Sequence, residues 1–200
     1  MRNGGKVMRS VLRSIKPYWF YLICERKKRT EIGKDMPKAA DWNKVVELYC
    51  SKDMRSFNRI PKELQDKYRP YLGKVGASFV CDKIDRIEIR HFSEIGHFNA
   101  YCSVSENPND NWRKESCLTE SEIVEYGKLA PIFGWHISDL KIYDEPKELG
   151  EFDFPCTLKT LCEVCRFSIN EETVFGGTTI GCDRRLHRPP QSWQYIEGKR

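Results

Sequence analysis

The segment of the chain best suited to chemistry is a basic one near its beginning. Between Arg13 and Lys38 there are eight basic and three acidic residues, so this segment alone carries a formal charge of +5. Cationic side chains gathered in one segment favour phosphate-bearing partners, although many such clusters only form a solvated face. The residues that we expect to contact nucleic acid are Lys16, Trp19, Arg26, Lys27, Lys28, Arg29 and Lys34.

Lys28 and Glu31 are three residues apart on a stretch with no regular pattern, so both side chains can point into one cleft. If Lys28 is desolvated beneath an aromatic ring such as that of Trp19, its pKa falls and it can act as a general base or nucleophile. If it stays solvated, it is a phosphate contact or half of a surface ion pair worth about 0–1 kcal/mol. The residues leave these alternatives open.

Two tryptophans, Trp19 and Trp135, could stack on a nucleobase. For each of them the alternative is a place in the hydrophobic core.

A second group of reactive residues lies near the end of the chain. Cys162 and Cys165 form a Cys-x2-Cys knuckle, from which two thiolates can reach one metal ion. Cys156 and Cys182 would complete a tetrahedral zinc site, with His187 as a rival of Cys156 for the fourth position. Such a zinc would be structural, because four protein ligands leave no open position for water. The alternative is that these cysteines are reduced thiols that fill a small core.

The composition bounds what can position these residues. A chain of 200 residues with 40% hydrophobic and 32% charged residues can bury a core in one domain plus an extension, or in two small units. After residue 150 the composition shifts to cysteine, glycine and arginine, which predicts a barrel domain over 1–150 and a Cys-rich tail over 151–200 that packs back on it.

The location of the protein is indicated by its cysteines and its beginning. Nine cysteines without an apolar export signal in "MRNGGKVMRS" indicate reduced thiols and a cytoplasmic protein. The longest apolar run, "YWFYLIC", is too short to span a bilayer, so no membrane partner is expected.

Hydrophobic patterns predict the elements of an α+β fold with a small curved sheet or barrel. The pattern at 117–128 includes a capping box of Thr119 and Glu122 at a helix start. Residues 90–115 are polar and predict a loop. Strands are predicted over 7–15, 29–32, 44–51, 73–89 and 134–144, and helices over 17–24, 60–73 and 117–128.

Several stretches together resemble the ASCH domain family of the PUA-like superfamily. They are "SIKPYWFYLICERKKRTEIGKDMPK", "GKVGASFVCDKI", "CLTESEIVEYG" and "FGWHISDLKIYDEPKEL". "RPPQSWQYIE" (188–197) is similar to the ending of a bacterial and prophage subgroup with a cysteine-bearing tail. The resemblance implies a PUA-like small mixed β-barrel with short flanking helices.

The family motif Gly-x-Lys-x-x-Glu-x-Arg falls on residues 26–33. Lys28 and Glu31 stand on its lysine and glutamate, while Arg26 replaces the glycine and Gly33 replaces the arginine. Lys34 is a neighbouring cation that could take the place of that arginine. The resemblance implies that RNA or a nucleoside-like ligand binds in a cleft beside the barrel.

Some small members of the family hydrolyse an amide of acylated cytidine with the motif lysine, the residue at the glutamate position and an acid before a helix. The corresponding catalytic residues here would be Lys28, Glu31 and Glu115, with Glu120 or Glu122 as alternatives to the last.

The sequence therefore predicts first a module that binds RNA, single-stranded nucleic acid or a modified nucleoside, with a structural zinc in its tail. The alternative is an amidohydrolase acting on an acylated nucleobase such as N4-acetylcytidine. A further alternative is a phage accessory protein that binds a host protein. Binding ranks before catalysis because Gly33 lacks the side chain of the motif arginine.

Overall fold

The computed structural model describes residues 9–38, 42–92, 97–102, 111–128, 130–155 and 185–198. In these ranges no helix combines the length and the apolar character needed to cross a membrane.

In the described ranges, ten strands form two sheets. The larger sheet contains β1 (Arg9–Ile15), β3 (Trp42–Cys50), β4 (Val75–Val80), β8 (Ser138–Lys147), β9 (Phe152–Asp153) and β10 (Trp193–Gly198), in the spatial order β8-β4-β3-β1-β10-β9. The smaller sheet contains β2 (Thr30–Gly33), β5 (Ile84–Phe92), β6 (His97–Cys102) and β7 (Ile132–His136), in the order β2-β7-β5-β6. Strands β1 and β3 are parallel, and the other paired strands are antiparallel.

Among the residues that the structure describes, five short α-helices connect and cover the sheets. They are α1 (Pro17–Cys24), α2 (Met54–Phe57), α3 (Lys62–Tyr68), α4 (Trp112–Ser116) and α5 (Glu120–Gly127). Helix α1 begins with Pro17, whose fixed φ suits a first helical turn and whose missing N–H would have no partner there. Helix α5 begins with the predicted capping box, since Thr119 and Glu122 exchange side-chain and backbone hydrogen bonds.

Strand β1 is buried on both faces, because successive side chains of a strand point to opposite sides. Val11 packs into the main core with Phe20 and Ile23 of α1. Leu12 points to the other face and packs with Ile196 of β10 and Leu186. The predicted α+β class with a small, mixed, curled sheet is confirmed.

Two predicted strands are wrong in extent. The pattern at 73–89 is two strands, β4 and β5, which belong to different sheets, and the pattern at 134–144 is divided in the same way between β7 and β8. The break between β4 and β5 lies next to the break between β7 and β8, because His136 N donates a hydrogen bond to Lys83 O. Ile137, between β7 and β8, donates its N–H to Arg29 O. Inside β8, Asp139 has a left-handed φ of 45°, at the place where the register between β8 and β4 shifts.

The predicted loop over 90–115 is also wrong in part, because it includes β6 and α4. Strand β6 is stabilised by six paired positions with β5, a long-range pairing that the hydropathy of "HFNAYC" does not reveal.

The predicted division at residue 150 stays a prediction. Strand β10, which follows that position, pairs with β1 inside the larger sheet. The metal-ligand cysteines of the predicted tail lie outside the described residues.

Candidate functional site

The centre of the candidate site is Lys28, which lies four residues after Cys24, the last residue of α1. Arg26 takes a left-handed conformation with a φ of 57°, which turns the chain so that Lys28 points inward. Only 2% of Lys28 is exposed. Its Nζ donates to Ser116 O at 2.6 Å, lies 3.3 Å from Glu31 Oε2 and sits 5.2 Å from the centre of the Trp19 ring.

This environment changes the acidity of Lys28. Burial lowers the pKa of Lys28 from its ordinary value, because a buried ammonium loses its hydration. The carboxylate of Glu31 opposes this shift without cancelling it. The amine therefore gives up its proton more easily than an exposed lysine does, as the sequence-based hypothesis of a lysine beneath Trp19 required.

A second buried cation, Arg13 of β1, completes the centre, and sequence reasoning missed it as a site residue. Arg13 is 2% exposed, its Nη2 donates to Ile32 O at 2.8 Å, and the same nitrogen lies 3.3 Å from Glu31 Oε1. Its guanidinium stacks over Trp135, 4.8 Å from the ring centre. The available signal was an arginine directly after the core residues Val11 and Leu12 of a predicted strand. We call Arg13, Lys28 and Glu31 the buried triad.

Gly33 is what makes room for this guanidinium. A Cβ atom at Gly33 would lie 2.9 Å and 3.0 Å from the terminal nitrogens of Arg13, and 3.1 Å from Nε1 of Trp135. Lys34, which the sequence suggested as the replacement for the motif arginine, is exposed and lies over the ring of Tyr126 at 5.0 Å. The cation that contacts Glu31 from outside the motif is Arg13.

The buried triad lines a cavity of about 1110 Å³ between α1, α2, α5 and the ends of β1 and β2. Basic residues outnumber acidic ones in its wall by eight to four, so the cavity has an excess of positive charge. The basic residues are Arg13, Lys16, Lys28, Lys34, Lys52, Arg55, Arg59 and Lys128, and the acidic ones are Glu31, Asp53, Glu122 and Glu125.

An aromatic side chain of α1, that of Trp19, lines the cavity. Trp19 is half-buried, and its ring makes an edge contact with Tyr18 at a centroid distance of 5.1 Å. The guanidinium of Arg59 lies 4.1 Å from the centre of Tyr18 and 5.2 Å from that of Trp19. The hydroxyl of Ser56 in α2 accepts a hydrogen bond from Tyr18 N, which fixes α1 against α2. Trp135, in contrast, is 0% exposed and belongs to the core.

The structure separates the predicted nucleic-acid contacts into two groups. Lys16, Trp19, Lys28 and Lys34 line the larger cavity. The side chains of Arg26, Lys27 and Arg29 are exposed and are not part of that lining, and we call these three residues the outer basic cluster. Arg26 and Arg29 border a smaller cavity of about 280 Å³, and Lys27 donates to Tyr21 Oη at 3.3 Å.

Glu115, the third predicted catalytic residue, lies beside the centre without lining the larger cavity. Its Oε2 accepts a hydrogen bond from Thr30 Oγ1 at 3.2 Å, and its backbone oxygen accepts one from Arg29 N. The acids that α5 adds to the cavity wall are Glu122 and Glu125. The carboxylate of Glu122 is engaged in the capping box, where it accepts from Thr119 N at 2.8 Å.

The predicted zinc ligands Cys156, Cys162, Cys165 and Cys182 lie outside the described residues, so the zinc site stays a prediction. His187 is described and exposed. In the part of the chain that the structure describes, no three His, Cys, Asp or Glu side chains are grouped as a metal site would require. Burial raises the pKa of the thiols of Cys24, Cys50 and Cys81 to about 12, so these cysteines stay protonated.

Comparison with known proteins gives a fold. No family model and no curated protein matches the chain. Among solved structures, a mutant of the ASCH protein from Zymomonas mobilis with one serine replaced by alanine has a TM-score of 0.50 and 11% identity, over 96% of this chain and 92% of that one. The crystal structure of ASCH from Zymomonas mobilis has a TM-score of 0.46 and 12% identity, over 94% and 87%. The match with a TM-score of 0.50 shows that the chain has the fold of an ASCH structure, as the sequence predicted.

Proposed function

We propose that this protein binds RNA or a nucleotide in the cavity beside Lys28 and Glu31. The observation that carries the proposal is the cavity itself, which combines twice as many basic as acidic residues with the half-buried Trp19 and the buried triad. Its fold, shared with an ASCH structure, is compatible with this role.

The wall of the cavity offers the two kinds of contact that single-stranded nucleic acid needs. Lys16, Arg55 and Arg59 are exposed cations at the wall and are suited to backbone phosphates. Trp19 is suited to a base, since stacking on an aromatic side chain contributes about 1–3 kcal/mol per base and tolerates any base.

The size of the cavity favours a ligand larger than a free nucleoside. Pockets for small molecules usually measure about 300–1,000 Å³. The cavity of about 1110 Å³ is slightly larger than this range, so a segment of single-stranded RNA fills it better than one nucleoside does.

Fluorescence anisotropy with a labelled single-stranded 12-nucleotide RNA, measured across a salt series, tests the proposal. The logarithm of the binding constant should fall linearly with the logarithm of salt, with a slope of about −0.7 for each phosphate contact. Arg55→Ala combined with Arg59→Ala should make this slope shallower by about 1.4. Lys62→Ala, which removes an exposed lysine of α3 away from the cavity, is the matched control and should leave the slope unchanged. An affinity that is indifferent to salt would contradict the proposal.

A second candidate function is hydrolysis of an acylated nucleobase such as N4-acetylcytidine. It is favoured by one observation: burial lowers the pKa of Lys28, which is held 3.3 Å from Glu31. In this function Lys28 would activate or deliver the nucleophile, Glu31 would orient it, and Glu115 would relay protons next to Thr30.

Chromatography of N4-acetylcytidine incubated with the protein tests this second function. The wild type should release cytidine, while Lys28→Ala should release none above the uncatalysed rate. Equal product from both proteins would reject it.

The binding of a host protein and the prophage source remain predictions from the sequence. Affinity capture from a bacterial lysate with and without nuclease would separate direct protein partners from those bridged by nucleic acid.

A further inference from the structure

The buried triad has an unbalanced charge. Arg13 and Lys28 are each 2% exposed, and the carboxylate between them, Glu31, is 8% exposed. An arginine stays protonated at any physiological pH, so the centre holds two basic groups against one acidic group. A buried charge without a counter-charge is costly, and an anion from outside would reduce that cost.

Arg13 also has hydrogen-bonding capacity that the protein does not use. A guanidinium carries five N–H donors. In Arg13, Nη2 bonds to Ile32 O and contacts Glu31, while Nε and Nη1 are buried without a hydrogen-bond partner. Three of the five donors are therefore unused on a side chain that lines the cavity.

Two hydroxyls of the cavity lining share this property. They belong to Ser14, which follows Arg13 on β1, and to Ser192, which directly precedes β10. The two residues are neighbours, because Ser14 N donates a hydrogen bond to Ser192 O at 3.0 Å. The Oγ atoms of both serines are buried without a hydrogen-bond partner. Buried polar atoms are usually paired, so this group of unused polar atoms on residues that line one cavity points to a missing ligand.

We infer that the buried triad is an oxyanion site in which Arg13 binds a phosphate group of the ligand. The inference rests on the proposed function and narrows it: the ligand is phosphorylated, and Arg13 distinguishes a nucleotide from a nucleoside. Gly33 has an indirect role, because the absence of a Cβ atom leaves the space that the guanidinium occupies.

The arrangement of the donors requires a movement of Arg13. Because Nε and Nη1 are covered from solvent, the guanidinium turns towards the cavity when the phosphate binds. This turn gives up both contacts of Nη2, the one at 3.3 Å with Glu31 Oε1 and the hydrogen bond to Ile32 O, while Lys28 keeps Glu31 paired through Oε2. Phosphate oxygens, which guanidinium groups bind strongly, then replace the lost contacts.

Calorimetric titration with the four common ribonucleosides and their 5′-monophosphates tests the inference. The wild type should bind the tightest monophosphate at least about tenfold more tightly than its nucleoside. Arg13→Gln should remove this preference, so that the monophosphate and its nucleoside bind this variant with affinities within about twofold of each other. The matched control is Arg9→Gln, which changes an arginine of the same strand outside the cavity lining and should preserve the preference.

Gly33→Ala is a second variant that keeps Arg13 but places a methyl group 2.9 Å from its guanidinium. It should weaken the preference for monophosphates in a folded protein, so the test does not depend on the folding of Arg13→Gln. A preference retained in both variants would overturn the inference.

Thermal unfolding in inorganic phosphate separates this inference from the proposed function. Phosphate at 10-fold steps of concentration should raise the Tm of the wild type, should not raise that of Arg13→Gln, and should raise that of Gly33→Ala by less than that of the wild type. If no nucleotide or RNA binds but this Arg13-dependent shift is seen, the proposed function fails and the oxyanion site stands. If RNA binds and neither phosphate nor a 5′-phosphate has an Arg13-dependent effect, the oxyanion site fails and the proposed function stands. If nothing binds and phosphate has no effect, both fail.

Discussion

The buried triad and the outer basic cluster come from almost the same stretch of sequence but have opposite environments. Lys28 is 2% exposed and lies between Glu31 and the carbonyl oxygen of Ser116. Arg26, Lys27 and Arg29, its neighbours along the chain, have exposed side chains. A charge count treats these four residues alike. Burying a charge costs free energy that a solvated charge does not, so burial separates Lys28 from its three neighbours where a charge count cannot.

Among the changes that test this comparison, Glu31→Gln should have the largest effect on the free energy of unfolding. It leaves Arg13 and Lys28 buried without their carboxylate, and breaking a buried ion pair from one side typically costs about 3–5 kcal/mol. Urea unfolding should show a loss of this size in the free energy of unfolding. Asp66→Asn is the exposed counterpart, because the side chain of Asp66 is 96% exposed and faces Arg69 at 3.6 Å.

The Asp66→Asn change should cost no more than about 1 kcal/mol, since exposed ion pairs contribute little. Losses of similar size in Glu31→Gln and Asp66→Asn would show that the buried triad is not a distinct environment.

A smaller effect is expected from the pH dependence of stability. The pKa of Lys28 is lowered by burial, so the folded protein holds this proton less tightly than the unfolded chain does, whose lysine has the ordinary value of 10.5. The contribution of Lys28 to stability is therefore unfavourable below its folded pKa and improves as the pH rises from that value towards 10.5.

Urea unfolding of the wild type and of Lys28→Met across this alkaline range isolates the effect. The stability of the wild type relative to Lys28→Met should increase with pH, because the methionine does not titrate. A difference that stays constant or decreases would mean that the pKa of Lys28 is not lowered in the folded protein.

The smallest effect on stability is expected from the outer basic cluster. Changing Arg26, Lys27 and Arg29 together to glutamine should alter the free energy of unfolding by no more than about 0.5 kcal/mol per residue, because surface substitutions rarely do more. RNA affinity at low salt should fall modestly, through the loss of long-range attraction, and the difference should vanish as salt screens it. A loss of affinity that persists at high salt would place these residues in direct contact with the ligand.

Local signals predicted the elements that position the site. Pro17 and the apolar run after it define α1, and the capping box of Thr119 and Glu122 defines the start of α5. The hypothesis that Trp19 covers a desolvated Lys28 also came from the sequence, and in the structure Nζ of Lys28 lies 5.2 Å from the centre of the Trp19 ring.

The features that the sequence did not predict depend on pairing between strands that are distant in the sequence. The break between β4 and β5 and the break between β7 and β8 are fixed by hydrogen bonds such as that from His136 N to Lys83 O. The place of Arg13 depends on the approach of β1 to Gly33, which no local pattern shows. Glu115 precedes α5 as expected, but it lies in the unpredicted helix α4 and its carboxylate accepts a hydrogen bond from Thr30.

The most direct test of the proposed function is RNA binding by Lys28→Met, measured by fluorescence anisotropy at about 0.15 M salt. The wild type and the variant of the outer basic cluster are measured under the same conditions. Lys28 lines the cavity while Arg26, Lys27 and Arg29 do not. We predict that Lys28→Met weakens binding at least tenfold, and that the variant of the outer basic cluster weakens it by less than about threefold under this screening. Wild-type affinity in Lys28→Met, or a larger loss in the outer variant, would contradict a binding site in the cavity.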